Sequence, residues 1–220
     1  MSNTVLRSTL LLFSTAFILS ASPFFNGSFE THGVGCEPLS TSSGFNTFGA
    51  GNTCITGWTI SGGNIDYITF LWPAAQGTHS LDMNGDSGPG SAVSQTFDTI
   101  AGGKYLVSFS LAGNTGAPPP VKLLTVDAAG QSAGYTFDST GFSNANMGWT
   151  LETFSFTASA TSTALMFTSA TTGCCAGPAL DNVSVAFLGT AAPEPGSTGL
   201  LAAGVALLIL RRRSLRRRLS

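Results

Sequence analysis

The sequence predicts an all-β domain folded as a two-sheet antiparallel β-sandwich. Three observations predict it. Apolar and polar residues alternate with a period of two in several runs, the pattern of strands with one buried face. Clusters rich in Gly, Pro and Asn interrupt these runs at short intervals. No stretch between residues 23 and 190 sustains the apolar period of about 3.6 residues that a helix requires. About ten short strands in one domain favour a jelly roll.

Each predicted strand is a run in which large apolar residues share one face. Tyr105, Val107 and Phe109 alternate in the clearest run, and Val183 and Val185 repeat the alternation near the end of the domain. Turn residues separate the runs, because they supply a positive or a fixed φ where a strand reverses. The predicted strands span residues 58–60, 65–70, 79–83, 92–97, 104–111, 121–127, 133–137, 150–157, 163–168 and 183–187.

The first 22 residues predict export. They contain one charge (Arg7), an apolar core over residues 10–19 and small residues at 20–22, which are the three regions of a secretory signal peptide. We therefore expect three parts: a signal peptide over 1–22, the β-sandwich over 23–190, and a sorting or anchor segment over 191–220.

The C-terminal segment begins with Pro193, Glu194 and Pro195 and continues with 14 uncharged residues over 197–210. The prolines keep the backbone extended, and the uncharged stretch can form an apolar helix that enters a bilayer. Because this stretch is shorter than the roughly 20 residues of a spanning helix, we expect transient insertion into the inner membrane. Six arginines follow and favour the cytoplasmic side, beginning with Arg211, Arg212 and Arg213.

This order of elements resembles the PEP-CTERM sorting signal of Gram-negative bacteria. The resemblance implies that an exosortase cuts near the Pro-Glu-Pro motif. It also implies that the final location of the protein is the cell envelope, the cell surface or the exterior of the cell. An ordinary C-terminal membrane anchor is the alternative.

The charge distribution argues against a nucleic-acid partner. Between residues 23 and 193 the chain has two lysines, no arginine and ten acidic residues, a formal charge of −8. Binding to a phosphate backbone requires clustered Lys and Arg.

Four cysteines in an exported chain indicate disulfides. There is no Cys-x-x-Cys motif, and the chain has only two histidines, so a metal–thiolate cluster is disfavoured. Of the three possible pairings we favour Cys36 with Cys54, because this bridge closes a Gly/Ser/Thr-rich loop. The adjacent Cys174 and Cys175 form a vicinal bridge or stay free.

A series of ordered motifs resembles the choice-of-anchor C family of exported bacterial proteins, and is similar to plant cell-wall proteins built from galactose-binding-like jelly rolls. The resemblance covers nearly the whole domain and implies a galactose-binding-like β-sandwich. The motifs lie at residues 26–30 (NGSFE), 57–60 (GWTI), 64–68 (NIDYI), 80–85 (SLDMNG), 94–97 (SQTF), 147–150 (MGWT) and 177–185 (GPALDNVSV).

The resemblance also implies a calcium site. In related carbohydrate-binding modules a Glu that follows a Phe and an Asp of the last strand hold a structural Ca²⁺, which makes Glu30 and Asp181 the candidate ligands here. Carboxylate and carbonyl oxygens suit this hard cation. The alternative is that both carboxylates accept backbone hydrogen bonds at strand ends.

Trp72 is the candidate stacking residue of a sugar site, because Trp72-Pro73 stands directly before a loop. Tyr67, Asp82 and Asn84 are candidate partners; Trp72 in a satellite core under the loop is the alternative. We expect Trp58 and Trp149 in the core and His79 on the solvent side.

These observations predict a non-catalytic surface or matrix protein that binds polysaccharide. A purely structural envelope protein is the first alternative. A glycan-active enzyme is the second, with Asp66 and Asp82 as a carboxylate pair.

Overall fold

The computed structural model describes residues 23–33, 36 and 39–190, so the signal-peptide and sorting-segment predictions lie outside the described residues. The named secondary-structure elements of the described residues are all strands, and turns and loops connect them. They are β1 (Phe45–Gly49), β2 (Thr59–Ser61), β3 (Asn64–Ile68), β4 (Ser80–Asp82), β5 (Ala92–Asp98), β6 (Gly103–Gly113), β7 (Val121–Ala128), β8 (Gln131–Asp138), β9 (Thr150–Thr157), β10 (Ser162–Ser169) and β11 (Pro178–Thr190).

The strands form two antiparallel sheets, which confirms the predicted sandwich. One sheet has six strands in the order β1-β3-β4-β11-β6-β9, and the other has five in the order β2-β5-β10-β7-β8. Side chains from the facing sides meet in a single core. Phe109 of β6 packs against Tyr135 and Phe167 of the other sheet, with ring centroids 5.1 and 5.2 Å apart.

Strand β1 was missed by the sequence prediction, which treated the segment between Cys36 and Cys54 as a loop. Its side chains are mostly half-exposed, with only Phe48 buried, so the segment has no clear apolar alternation. Long-range pairing decides its structure, because residues 45–49 form a ladder with residues 64–68 of β3.

The outer face of the six-stranded sheet is covered near β4. Ser80 and Asp82 alternate with the core residue Leu81 and therefore point away from the core. Both are nevertheless fully buried. The indole of Trp72 donates a hydrogen bond of 2.9 Å to Ser80 Oγ, so the loop after β3 lies across this face.

Both cysteine pairs are bridged. Cys36 joins Cys54, the pairing favoured from the sequence, with the Cα atoms 5.4 Å apart. Cys174 joins Cys175, which is the bridged form of the two states that the sequence left open.

Among the described residues, no helix is long and apolar enough to cross a membrane.

Candidate functional site

A cleft of the described domain lies between the loop after β3 and the loop before β9. It encloses about 670 Å³. Phe70 is its only lining residue with a large exposed apolar side chain, at 57% exposed. The lining residues are Thr69, Phe70, Leu71, Trp72, Pro73, Ala74, Gly77, Thr78, Asn144 and Ala145, none of them charged.

The backbone around Gly44 fixes the first wall of the cleft. The Gly44 carbonyl accepts hydrogen bonds from the N–H groups of Thr69, Phe70 and Leu71, at 2.8, 3.2 and 3.3 Å. Gly44 has a φ of +81°, and a Cβ there would lie 2.8 Å from the Leu71 nitrogen. Only glycine suits both conditions. The turn therefore ends the alternation of β3 and leaves Phe70 exposed.

Two tryptophans support the cleft from below and from one side. Trp72 is only 3% exposed and forms part of its floor. Trp149, half-buried, donates its indole N–H to the carbonyl of Pro73 at 3.1 Å. The hydrogen bond from Trp72 to Ser80 ties the loop after β3 to β4. The hydrogen bond from Trp149 to Pro73 ties the same loop to the start of β9.

Glu30 holds the last part of the same loop. Its Oε1 accepts the backbone N–H groups of Thr78 and His79, both at 2.8 Å, and its Oε2 accepts the Thr78 hydroxyl at 2.8 Å. Burial raises the pKa of Glu30, but the hydrogen bonds from His79 and Thr78 outweigh burial and leave the pKa below its ordinary value. Glu30 is therefore an ionised anchor for the loop at neutral pH.

Asp181 holds the middle of the loop. Its Oδ2 accepts the backbone N–H of Gln76 at 2.8 Å, and its Oδ1 accepts that of Asn182 at 2.6 Å. The side chain is fully buried, and this burial, with a contribution from the Glu30 charge, raises the pKa of Asp181 to about 7. The structure thus brings Glu30 and Asp181 to one loop.

The surroundings of these carboxylates match the hydrogen-bonding alternative more closely than a calcium site. A carboxylate offers about four lone pairs. Glu30 already receives three hydrogen bonds and a fourth contact from His79 Nδ1 at 3.1 Å. A cation would have to displace some of these donors. No cluster of three or more His, Cys, Asp or Glu side chains suited to a metal occurs in the described part of the chain.

His79 is not a solvent-side residue, and that prediction was wrong. Its ring stacks on Tyr67, with centroids 4.8 Å apart and planes at 10°. Its Nδ1 lies 3.1 Å from Glu30 Oε2, and the side chain is 15% exposed. The partners come from distant parts of the chain, which local alternation cannot reveal.

Three of the four predicted sugar-binding residues are inaccessible to a sugar in this structure. Tyr67 is fully buried and donates its hydroxyl to the Phe29 carbonyl at 2.7 Å. Asp82 and Asn84 are also fully buried. Asp82 lies under the cover over β4, whereas Tyr67 pairs with Leu81 and faces the core. Asn84 lies beyond β4 and donates to the carbonyls of Thr171 and Gly173. Of these four residues only Trp72 lines the cleft, and its side chain is buried in the cleft floor. This position agrees with the alternative that places Trp72 in a satellite core under the loop.

The carboxylate pair of the enzyme alternative is also covered. Asp66 and Asp82 are direct cross-strand partners in β3 and β4. Burial raises the pKa of Asp66 to about 6, although the Thr47 hydroxyl donates to it at 2.6 Å. Asp82 accepts the N–H groups of Asn84 and Gly177 at 3.0 and 2.8 Å. These are structural carboxylates within the described domain.

Phe70 and Asn144 are the site residues that the sequence prediction missed. Phe70 was placed at the end of a strand. The signal for its exposure is the run Phe70-Leu71-Trp72-Pro73, because consecutive apolar residues cannot all face one core. Asn144 gives no local signal, since only folding brings its loop to the loop after β3.

Comparison with known proteins identifies the family. Residues 22–186 match the model of the family described as "Protein of unknown function (DUF642)". The chain belongs to the DUF642 family. The DUF642 domain is also 33% identical over 161 residues to Halomucin of Haloquadratum walsbyi, covering 73% of this chain but only 2% of that much longer protein.

The solved structures similar to this DUF642 domain are distant. A family 35 carbohydrate-binding module from Clostridium thermocellum is 15% identical, with a TM-score of 0.45, and the match covers 64% of this chain and 97% of that one. A family 61 module in complex with beta-1,4-galactotriose is 17% identical, with a TM-score of 0.44 and coverage of 76% and 99%. The xylan-binding CBM22-1 domain from Paenibacillus barcinonensis is 19% identical, with a TM-score of 0.44 and coverage of 66% and 95%.

Proposed function

We propose that this DUF642 domain is a non-catalytic, exported cell-surface or matrix module that binds polysaccharide in the cleft beside Phe70. The observation that carries the proposal is the exposed aromatic ring of Phe70. It lies in a cleft of about 670 Å³ whose lining has no charged side chain. An aromatic ring can stack on the apolar face of a sugar. Thr78 and Asn144 supply polar groups for sugar hydroxyls at the rim.

The lining favours a neutral glycan over an acidic one. No Lys or Arg lines the cleft, and the described domain has only two lysines, of which Lys122 is fully buried. The carboxylates of Glu30 and Asp181 lie directly behind the loop. A uronate or sulfate group would therefore meet no cation and would be repelled by the surrounding negative charge.

A second depression is a weaker candidate. It encloses about 370 Å³ on the five-stranded sheet, around Met166 and Asp127, and no aromatic residue lines it. Without a stacking face it offers little that would orient a sugar ring.

The binding test compares Phe70→Ala with Leu151→Ala. Leu151 is 70% exposed on β9 and is not part of the cleft, so its removal is a matched control for lost apolar surface. Affinity electrophoresis against neutral and acidic polysaccharides should show retention by neutral ones. We expect the Phe70 variant to bind about tenfold more weakly, a loss of about 1.4 kcal/mol, and the Leu151 variant to bind as the unaltered protein does.

Three outcomes would contradict this proposal. Undiminished retention of the Phe70 variant would remove the cleft from the binding site. Absence of retention by any polysaccharide, including the exopolysaccharide of the producing organism, would favour the purely structural envelope protein. Sugar release by the purified domain would contradict a non-catalytic role.

We also propose that the chain is exported and sorted as its ends predict, with an exosortase acting at Pro193, Glu194 and Pro195. The two disulfides support an oxidising compartment. Intact-mass analysis of the protein from its own host should show residues 1–22 removed and a new C-terminus near the Pro-Glu-Pro motif. A mature protein that retains Arg211, Arg212 and Arg213 would instead indicate an ordinary anchor.

Calcium at Glu30 and Asp181 stays a prediction. A cation bound only by the native state must raise the melting temperature. Melting curves with added Ca²⁺ and with a chelator should therefore differ if the site binds the ion. Coinciding curves would leave the hydrogen bonds to Thr78, His79 and Gln76 as the whole role of these carboxylates.

A further inference from the structure

Exposed apolar side chains gather where the described part of the chain ends. Ile100 is 52% exposed, Phe187 is 49% exposed and Leu188 is 59% exposed. Phe187 and Leu188 lie close to the end of β11, whose last residue is Thr190. Ile100 lies in the turn between β5 and β6.

Contacts at the start of β6 bring these three side chains into one patch. The Tyr105 ring packs against the Phe187 ring, with centroids 5.3 Å apart, and the Tyr105 hydroxyl accepts the Ile100 N–H at 2.8 Å. A Cβ at Gly103 would lie 2.9 Å from Phe187 Cε2, so the start of β6 runs directly beside that ring. A bulge in β11 leaves Leu188 without a partner in β6, and bulges change the direction of a side chain. Exposed apolar residues that lie together in this way mark an interaction surface.

The one exposed lysine of the described residues borders the same patch. Lys104 lies opposite Gly189 of β11 and Thr157 of β9. The described residues contain no arginine, and their other lysine, Lys122, is fully buried. The acidic residue nearest to Lys104 in sequence is Asp98, which is half-buried at the end of β5. Apolar side chains beside an exposed lysine suit a phospholipid surface, because the apolar groups can enter the boundary with the acyl chains while the amine meets phosphate.

The position of this patch in the chain also favours a lipid surface. Residues 191–196 separate Thr190 from the uncharged stretch over 197–210. Six residues reach at most about 20 Å. While that stretch is inserted in a bilayer, the end of β11 is therefore held beside the lipid headgroups. This step rests on the sorting of the C-terminal segment proposed above.

The glycan cleft lies at the other end of β6. Lys104 is opposite Thr157 at the end of β9, whereas Leu111 is opposite Thr150 at its start. Asn144 of the cleft belongs to the loop directly before β9. The strand rises about 23 Å over the seven residues from 104 to 111. The patch and the cleft therefore lie at opposite ends of the domain.

We propose that the patch formed by Ile100, Lys104, Phe187 and Leu188 docks on the phospholipid surface of the membrane that holds the C-terminal segment. The three apolar side chains enter the headgroup boundary, and Lys104 binds lipid phosphate. Because the inserted segment makes the contact intramolecular, a patch too small to hold the domain on a membrane by itself is sufficient. In this orientation the glycan cleft faces away from the membrane.

The test uses the full chain in vesicles of phosphatidylethanolamine and phosphatidylglycerol that contain a nitroxide-labelled lipid. A fluorophore is attached to Thr157→Cys, beside the patch, or to Leu151→Cys, on the same face of β9 at its other end. The native cysteines are all bridged, so only the introduced thiol reacts. We expect the fluorophore at position 157 to lose most of its emission and the one at position 151 to keep it.

Variants of the chain labelled at position 157 separate docking from simple tethering. Ile100→Ser combined with Leu188→Ser should restore the emission, and both side chains are exposed enough to be replaced without disturbing the core. Val121→Ser is the matched control, because Val121 is 42% exposed on β7 and outside the patch; it should leave the quenching unchanged. Quenching should weaken as the salt concentration rises, and Lys104→Gln should remove this dependence.

Flotation of the vesicles distinguishes a failure of docking from a failure of the sorting proposal. A full chain that does not float with the vesicles would refute insertion of the C-terminal segment, and docking with it. A chain that floats but is quenched equally at positions 157 and 151 would overturn docking alone. So would quenching at position 157 that survives the loss of the Ile100 and Leu188 side chains. Energy transfer between position-157 labels on two chains, without quenching by the lipid, would place a second copy on the patch and would also overturn the proposal.

Discussion

The carboxylate of Glu30 contacts His79 twice. Its Oε1 accepts the backbone N–H at 2.8 Å, and its Oε2 lies 3.1 Å from the imidazole Nδ1. A residue from the N-terminal segment thereby sets the position of the residue directly before β4 and, through Thr78, one wall of the cleft. The shape of the cleft thus depends on a contact between residues 49 positions apart in sequence.

Replacing Glu30 by Gln should loosen this wall. The variant loses the charge on the acceptor of several hydrogen bonds, and we expect a loss of about 2 kcal/mol in the free energy of unfolding, together with weaker glycan binding. Urea denaturation and affinity electrophoresis measure the two effects. Glu152→Gln, in β9, is the matched control and should change neither. A Glu30 variant as stable as the unaltered protein would contradict the anchoring role.

Stability should fall as the pH rises from about 4 to about 7. Asp181 and Asp66 have pKa values of about 7 and about 6 in the folded domain, above the ordinary value of 3.8. The folded state therefore binds more protons than the unfolded state in this range, and stability decreases with rising pH. Melting temperatures across this range measure the slope.

Asp181→Asn removes one of these groups and should flatten the slope above pH 6. Bound Ca²⁺ would have a related effect, because it keeps Asp181 ionised in the folded state. A melting temperature that rises steadily from pH 4 to pH 7 without calcium would contradict this prediction. It would show that the burial of Asp181 and Asp66 does not govern the pH dependence of stability.

Removing the Cys36–Cys54 bridge should destabilise the domain by about 3 kcal/mol, because the bridge closes a loop between residues 18 positions apart. The double variant Cys36→Ser, Cys54→Ser tests this in urea. Cys174→Ser, Cys175→Ser is the natural comparison, since a bridge between neighbours closes almost no loop. Equal losses in the two double variants would contradict the loop-closure explanation.

Tyr67→Phe should cost about 1–3 kcal/mol in the free energy of unfolding, because it leaves the buried carbonyl of Phe29 without the donor that now lies 2.7 Å away. Glycan binding should remain unchanged, since Tyr67 is buried behind the site. Denaturation and binding assays on one preparation separate the two effects. Lost glycan binding with an unaltered free energy of unfolding would instead indicate that Tyr67 contacts the ligand.

Strand identity could be predicted from the sequence where local alternation is strong. Residues 150–157 were predicted as a strand and form β9 with the same limits, and residues 104–111 lie within β6. Alternation works there because each strand has one face in the core and one in solvent. It failed for β1, whose structure depends on its ladder with β3.

The candidate site was predicted less well than the fold. Trp72 lies in the loop that lines the cleft, but Phe70, two positions earlier, carries the exposed ring. Asp82 and Asn84 were assigned to a sugar, although both side chains are fully buried. Sequence alternation identifies which side chains leave the core; it does not reveal that a loop covers them again.

The sequence by itself determined the all-β class, the acidic, arginine-free composition of the domain, and the favoured pairing of Cys36 with Cys54. These follow from local periodicity, composition and spacing, which need no knowledge of distant contacts. Only the tertiary structure decided that Glu30 meets His79, that Phe70 faces the cleft, and that the side chain of Lys122 is fully buried. Each of these depends on which loop folds over which sheet, and that is set by long-range packing.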